Sequence, residues 1–223
     1  MSGTSRKAVA SLLAGSAMAS LRRFLLASGA ILLIAAAVVA CSNSPPANLN
    51  SSCDIFEEKN GWYSDAYDSY EKWGVPVHVQ LAIIYQESRF VHDAKPPRKK
   101  LLWVIPWKRP SSAYGYGQIK DSTWEWYIKS TGNRWADRDD FEDVVDFIGW
   151  YGNYSYRNLG ISKSDAYNQY LAYHEGHGGF KRKTYKKKAW LVKVARKVDN
   201  RAKSYHTQLA KCEDSLDKGW WFF

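Results

Sequence analysis

Apolar and aromatic residues recur every three or four positions along most of residues 53–223, which is the period of an amphipathic helix. The capping box Ser122-x-x-Glu125 marks one helix start, aspartates mark others, and glycines mark helix ends. Strand character is confined to Leu101–Ile105, which is typical of a hairpin arm. The predicted helices cover residues 62–73, Pro76 (as a first-turn residue) towards Phe90, Trp124 to Lys129, Asp139 or Asp140 to Gly160, Ser162-x-x-Asp165 to Gly176, and Tyr185 to Lys211. The pattern predicts one mainly α domain with room for a small hairpin insertion.

The first forty residues have the pattern of a processing segment. Residues 25–40 are apolar apart from Ser28 and Gly29, and two arginines precede them, which predicts a signal peptide over residues 1–40. The chain then reads Val-Val-Ala-Cys, which resembles a bacterial lipobox and predicts lipidation of Cys41. Residues 41–54 would form a tether to a bilayer. An uncleaved membrane anchor is the alternative, and Met18 is an alternative start for the signal.

Composition narrows the class of protein. The 223 residues include 32 Lys and Arg against 22 Asp and Glu, a formal charge of +10, and 45% are hydrophobic. This is too apolar for a disordered chain and too poor in cysteine for a disulfide-built miniprotein. The basic excess raises the possibility of nucleic-acid binding, but an exported protein rarely meets nucleic acid, and we expect none.

Two cysteines remain when Cys41 is acylated. Cys53 and Cys212 bracket almost the whole folded region of a chain that is predicted to be exported into an oxidising compartment. We expect them to be bonded, which would stabilise the fold by about 4–5 kcal/mol on a chain-entropy basis. Two separate buried thiols are the alternative.

Three short motifs carry the candidate chemistry: Glu87-Ser88, Gly115-Tyr116-Gly117-Gln118 and Ala172-Tyr173-His174-Glu175-Gly176. Glu87 follows a buried helical run and stands near the negative end of the helix dipole. Both features are expected to raise the pKa of its carboxyl, as a general acid requires. A surface glutamate at a helix end is the alternative. The sequence has no Cys/His metal spacing, phosphate-binding glycine loop or nucleophile elbow, and we expect neither a metal nor a cofactor.

These motifs, in this order, resemble the three signatures of the soluble lytic transglycosylase (SLT) family, which is related to goose-type lysozyme. The family pattern is Glu-Ser, then Gly-Leu-Met-Gln, then Ala-Tyr-Asn-Ala-Gly, and the resemblance covers residues 55–212. It implies a lysozyme-like fold with a groove for peptidoglycan glycan strands. Glu87 would be the only catalytic acid and base, and Ser88 would orient the substrate. Gln118 would hydrogen-bond to sugar, and the Tyr173 hydroxyl would lie against Glu87.

The implied reaction cuts between N-acetylmuramic acid (MurNAc) and N-acetylglucosamine (GlcNAc) and leaves a 1,6-anhydro sugar. The chain departs from the family pattern at Tyr116-Gly117, where the tyrosine could stack on a sugar, and at His174, which could replace an asparagine contact. Glu175 either faces solvent, pairs with a lysine or arginine, or stands opposite Glu87 as a second carboxylate. The last arrangement would favour hydrolysis. A non-catalytic peptidoglycan-binding lipoprotein is a further alternative.

The remaining segments have less specific patterns. Residues 95–110 resemble a basic insertion relative to simpler family members, and residues 213–223 form an aromatic tail that would dock on the fold or touch a bilayer. The expected partners are glycan strands and, through Cys41, a lipid bilayer; protein partners stay open. Ser42 after the lipidated cysteine favours the periplasmic side of the outer membrane.

Overall fold

The computed structural model describes residues 44–98, 100–101, 105–106 and 109–216. The predicted signal peptide, the lipidated Cys41 and residues 217–223 of the tail lie outside the described residues. Among the residues that are described, none of the helices is both long and apolar enough to cross a bilayer. The helices lie in a compact unit that begins at Pro45.

Helices dominate the described part of the chain, as predicted. A short antiparallel hairpin joins β1 to β2, with Lys100 opposite Pro106 and Leu101 opposite Ile105. The mainly α class is therefore confirmed, and a small hairpin does lie within residues 95–110, but its two strands stand at opposite ends of the run predicted as a single arm. In chain order the elements are α1 (Ser52–Glu58), α2 (Trp62–Trp73), α3 (Val77–Ser88), β1 (Lys100–Leu101), β2 (Ile105–Pro106), α4 (Asp121–Thr131), α5 (Phe141–Leu159), α6 (Ala166–Lys181), a 3₁₀ turn (Thr184–Lys187) and α7 (Ala189–Leu216).

Several helix ends follow the sequence signals. The Asp140 side chain accepts a hydrogen bond from the Asp143 backbone N–H at the start of α5. Asp165 caps α6 in the same way, because its side chain accepts a hydrogen bond from the Asn168 backbone N–H. Gly160 closes α5 in the left-handed conformation, with φ of 70°.

Other helix boundaries differ from the predictions. Helix α4 begins at Asp121, so Ser122 already lies inside the helix and the predicted capping box is not formed. Pro76 is the N-cap of α3 rather than its first helical residue. The predicted helix end at Gly176 is a break in α6: Gly176 is not helical, with φ of 71° and ψ of 157°, and a second helical stretch follows it to Lys181.

Helix α7 supports the other elements, since it packs against α1, α3 and α6. Its buried residues include Leu191, Val198 and Tyr205, and α3 contributes a fully buried run from Leu81 to Ile84. Cys53 on α1 and Cys212 on α7 form a disulfide across 159 residues, which confirms the predicted pairing. Helix α1 begins within the segment predicted as a tether, and α7 extends four residues past the predicted domain end.

Candidate active site

A cavity of about 410 Å³ opens between α3, the loop that precedes α4, and helices α5 and α6. Four of the predicted site residues line it: Glu87, Gln118, Tyr173 and His174. Ser88 and Tyr116 do not line it. The cavity wall also includes Pro96, Ser111, Ala113, Ile119, Lys120, Thr123, Phe147, Tyr151, Glu175 and Gly176.

Glu87 stands in the last turn of α3, three residues after the end of the buried run that anchors this helix in the core. Burial raises the pKa of its carboxyl from 4.5 to about 7, and a hydrogen bond from the Tyr170 side chain acts in the opposite direction. The charged form is disfavoured because the surrounding protein replaces water. A substantial fraction of the Glu87 carboxyls is therefore protonated near neutral pH, as the sequence led us to expect.

Two tyrosines of α6 act on Glu87: Tyr170 hydrogen-bonds to its carboxyl, and the hydroxyl of Tyr173 lies near enough to be affected by its charge. Tyr170 precedes Tyr173 by three positions on α6, so both lie on the same face of that helix. Tyr170 is 3% exposed, and burial together with the nearby Glu87 carboxylate raises the pKa of its hydroxyl. The three-residue spacing from Tyr173 is the feature of the sequence from which the position of Tyr170 could have been predicted.

The Tyr173 hydroxyl instead donates a hydrogen bond to the backbone carbonyl of Gly117 at 2.7 Å. Burial, followed by the charge of Glu87, raises the pKa of this hydroxyl well above its usual value. The Tyr173 hydroxyl thus lies near Glu87, but its hydrogen bond goes to Gly117, and the hydrogen bond to the Glu87 carboxyl comes from Tyr170. Tyr173 fixes the wall of the cavity beside Glu87.

The turn at Gly115–Gln118 depends on its first glycine. Gly115 has φ of 75°, and a Cβ at this position would lie 1.8 Å from the carbonyl oxygen of Arg138. The Gly115 N–H donates to the Ala94 carbonyl at 3.0 Å, and the Tyr116 N–H donates to the Arg138 carbonyl at 3.2 Å. Only glycine allows this close backbone approach, which ties the turn to two distant segments.

Gln118 closes the turn in a left-handed conformation with φ of 49°. Its side-chain amide donates to the Ala94 carbonyl at 2.8 Å and to the Gly115 carbonyl at 3.1 Å. Both amide hydrogens are engaged by the turn, so a hydrogen bond to a sugar hydroxyl would be accepted by the amide oxygen.

Two predicted site residues are placed differently from the expectation. Tyr116 is 4% exposed, and its ring packs edge-on against Trp62 and Phe141 at centroid distances of 5.7 and 5.8 Å. The expected stacking of Tyr116 on a sugar is therefore corrected: the ring belongs to the core. The Ser88 hydroxyl donates to the Ile84 carbonyl of its own helix at 3.4 Å.

Glu175 lines the same cavity as Glu87, but its carboxylate is engaged by protein groups. Its side chain is 3% exposed and forms an ion pair with Lys188 at 2.7 Å. It also accepts a hydrogen bond from Thr184 and contacts His174 Nδ1 at 3.3 Å. Burial raises the pKa of Glu175, but these hydrogen bonds outweigh it and leave the pKa below its ordinary value. Of the three predicted environments, pairing with a lysine is the one observed.

Aromatic rings line the cavity or pack beside it. Burial lowers the pKa of His174, whose ring packs edge-on against Trp190 at 5.2 Å. Trp190 is 56% exposed at the start of α7. Tyr151 and Phe147, which line the cavity, contact the Tyr173 ring at 5.5 and 6.2 Å. The sequence analysis did not predict Trp190, Tyr151 and Phe147 as site residues, because aromatic residues at helical spacing are common in protein cores.

One protein family matches most of the chain. Residues 29–212 of the 223 match the model of one protein family, described as a transglycosylase SLT domain. Neither a curated protein nor a solved structure matches the chain.

Proposed function

The chain belongs to the transglycosylase SLT domain family, and on that premise we propose that it is a lytic transglycosylase of peptidoglycan. It cleaves the bond between MurNAc and GlcNAc and forms 1,6-anhydro-MurNAc, with Glu87 as acid and then base. The observation that carries this proposal is the Glu87 carboxyl, whose pKa of about 7 in a partly aromatic cavity keeps it able to exchange a proton near neutral pH.

In the first step, protonated Glu87 donates its proton to the glycosidic oxygen as the bond from that oxygen to C1 of MurNAc breaks. The leaving group departs with a neutral 4-hydroxyl. The N-acetyl group of the substrate stabilises the cationic C1, so the protein supplies no second carboxylate for this role. Glu87 is left ionised.

In the second step, the 6-hydroxyl of the same MurNAc attacks C1 while ionised Glu87 takes its proton. The new bond closes the anhydro ring, and Glu87 returns to its protonated form without water entering the reaction. An intramolecular hydroxyl can have an effective concentration on the order of 10⁵ M, which makes a single carboxyl sufficient.

The neighbours of Glu87 support these steps by position. Tyr170 provides a hydrogen bond that stabilises the ionised form between the two steps. Gln118 and His174 contact the glycan from the cavity wall, and Ser88 orients the end of α3. The exposed ring of Trp190, which packs against His174, offers a stacking face beside the cavity.

The proposal includes the location of the protein. The lipobox-like segment would place acylated Cys41 in a bilayer, with the domain in the cell envelope and most naturally on the periplasmic face of the outer membrane. Labelling cells with a radioactive fatty acid tests this, because Cys41→Ala is expected to abolish the label.

A hydrolase is the second candidate, and one observation favours it. Glu175 and Glu87 line the same cavity with pKa values displaced in opposite directions, which is how paired acid and base carboxyls are arranged in hydrolytic glycosidases. The contacts of Glu175 with Lys188, Thr184 and His174 weigh against this role, because they engage the carboxylate that would have to activate water.

Mass spectrometry of the fragments released from purified peptidoglycan tests the proposal. Anhydro ends are expected. Reducing ends would establish the hydrolase instead, and an undigested polymer would leave only a binding protein.

A further inference from the structure

A second cavity, of about 560 Å³, lies between α3 and α7. Three of its lining residues are cations: Arg89, Lys197 and Arg201. We call this site, defined by these three residues, the basic cleft. Gln86 and Ser204 add neutral polar groups to its wall, and no aspartate or glutamate is among the residues that line it in the described chain.

The positive charge of the basic cleft is not neutralised by the fold. In the part of the chain that the structure describes, no salt bridge involves Arg89, Lys197 or Arg201. Asp199 is close in sequence, but its carboxylate pairs with Lys203 at 2.6 Å. Three unpaired cations around one cavity create a positive potential that attracts an anion.

Arg201 is held in place by neutral groups. Its guanidinium lies over the Tyr85 ring at 3.3 Å, and its Nη1 donates to the Leu49 carbonyl at 3.4 Å and to Asn50 Oδ1 at 3.2 Å. These contacts fix the side chain without neutralising its charge. A pre-positioned guanidinium has the geometry to bind a carboxylate or phosphate through two N–H groups.

The basic cleft adjoins the proposed catalytic site through α3. Gln86 and Arg89 line the cleft, and Glu87, between them in sequence, lines the other cavity. Successive residues of an α-helix point about 100° apart, and a helix with its side chains is about 10–12 Å across. The two cavities therefore open on different faces of the last turn of α3, and a branched polymer that occupied both would have to pass around this helix end.

We propose that the basic cleft binds a carboxylate of the peptide stem of peptidoglycan while the glycan strand occupies the cavity of Glu87. This rests on the proposed function, because it takes the same polymer as the source of the anion. Each stem leaves the glycan at the lactyl group of MurNAc, the sugar that Glu87 acts on. A lipid phosphate has similar chemistry and is distinguished in the test.

The test compares glycan strands that carry their peptides with the same strands after an amidase has removed the peptides. Binding is measured with the full chain carrying Glu87→Gln, so that the strands are not consumed. In this background Lys197→Glu is expected to weaken binding of peptide-bearing strands about fivefold or more. Binding of peptide-free strands is expected to stay the same. Arg89→Gln provides a second, uncharged substitution with the same expectation.

Lys211→Glu is the matched control, since Lys211 is exposed on α7 and does not line the cleft. It lies 14 residues further along the helix, about 21 Å away along the axis, which exceeds the screening length of about 8 Å at physiological ionic strength. Equal binding of peptide-bearing strands by the Lys197→Glu and Lys211→Glu proteins would overturn the proposal.

Two further measurements complete the test. One identifies the source of the anion, and the other tests the proposed reaction separately from the proposed anion site. If Lys197→Glu weakens binding to phosphatidylglycerol vesicles but not to peptide-bearing strands, the anion is a lipid phosphate and the proposal is wrong. The proposed function is read independently from the anhydro products that the chain with Glu87 intact releases from peptide-free strands. If no anhydro products appear but Lys197→Glu still weakens binding only of the peptide-bearing strands, the proposed reaction is wrong and the proposed anion site stands.

Discussion

The hydroxyl of Tyr173 donates a hydrogen bond to the carbonyl of Gly117 at 2.7 Å, and this bond joins α6 to the turn that carries Gln118. The two residues belong to different sequence motifs. A Cβ on Gly117 would lie 2.8 Å from the Tyr173 hydroxyl and 3.0 Å from the Ile119 side chain. The second and third motifs therefore depend on each other through direct contact.

Gly117→Ala is expected to lower kcat because it displaces Tyr173 or the turn that carries Gln118. Losing the hydrogen bond costs about 1 kcal/mol, and the added methyl group costs about 1–3 kcal/mol more in strained packing. Steady-state kinetics on peptidoglycan and thermal unfolding measure the two effects. Gly178→Ala is the control, because its Cβ would meet only the end of the Arg182 side chain, at 3.2 Å. Equal activity of the two variants would show that the contact does not matter.

Glu87→Gln is expected to abolish turnover and to change how stability depends on pH. In the wild-type protein the pKa of Glu87 rises from 4.5 to about 7 on folding, so between these values the folded state holds a proton that the unfolded state has lost. Stability is therefore lost as the pH rises from 4.5 to 7. The variant carries no such penalty and should gain up to about 3 kcal/mol over wild type across this window.

Urea unfolding at several pH values measures this gain. Glu125→Gln is the matched control, since it removes an exposed carboxylate of α4. If the gain of Glu87→Gln is the same at pH 4 and pH 8, then burial does not raise the pKa of Glu87 and the acid role loses its support.

The pH dependence of kcat/KM should report Glu87 directly. Activity needs the protonated carboxyl, so it is expected to fall as the pH rises through about 7. Tyr170→Phe removes the hydrogen bond that lowers this pKa, so the fall should move to higher pH. Tyr127→Phe also removes a buried hydroxyl, which donates to Asp146 at 2.6 Å, and should leave the profile in place. A profile that moves equally in both variants would contradict the assignment.

Much of the fold followed from helical spacing and end signals. Asp140, Gly160 and Asp165 mark real helix ends because a side-chain cap or a left-handed glycine is a local device that sequence alone specifies. The capping box at Ser122 was wrong because the helix already begins at Asp121, whose N–H donates to Ser112 Oγ at 3.2 Å and whose carboxylate pairs with Arg138 at 2.8 Å.

The site was predictable only in part, because some of its contacts join segments that are distant in the sequence. Glu87, Gln118, Tyr173 and His174 line one cavity as the motifs implied. Tyr116 is in the core and Lys188 pairs with Glu175, and both outcomes depend on which distant segments meet. No local pattern carries that information. Tyr170 lay within reach of sequence reasoning, since it shares a helix face with Tyr173.

The Cys53–Cys212 disulfide should contribute to stability without contributing to catalysis. It joins α1 to α7 across 159 residues, and neither cysteine lines the cavity of Glu87. Cys53→Ala with Cys212→Ala is expected to lower the free energy of unfolding by about 4–5 kcal/mol on the chain-entropy account. Activity at low temperature should remain. Reducing agent should lower the melting temperature of the wild type and not that of the double variant, and equal responses would contradict the assignment.

Glu175→Gln separates the two catalytic candidates. A transglycosylase needs no second carboxylate, so the variant should still release anhydro ends at a rate close to wild type. Its stability should fall by about 1 kcal/mol, because the ion pair with the half-exposed Lys188 is lost. In a hydrolase Glu175 would activate water as an ionised base, and its replacement would remove reducing-end products and lower turnover by about 10²-fold or more. Mass spectrometry of the released fragments decides between these outcomes, because the two products differ in mass by one water.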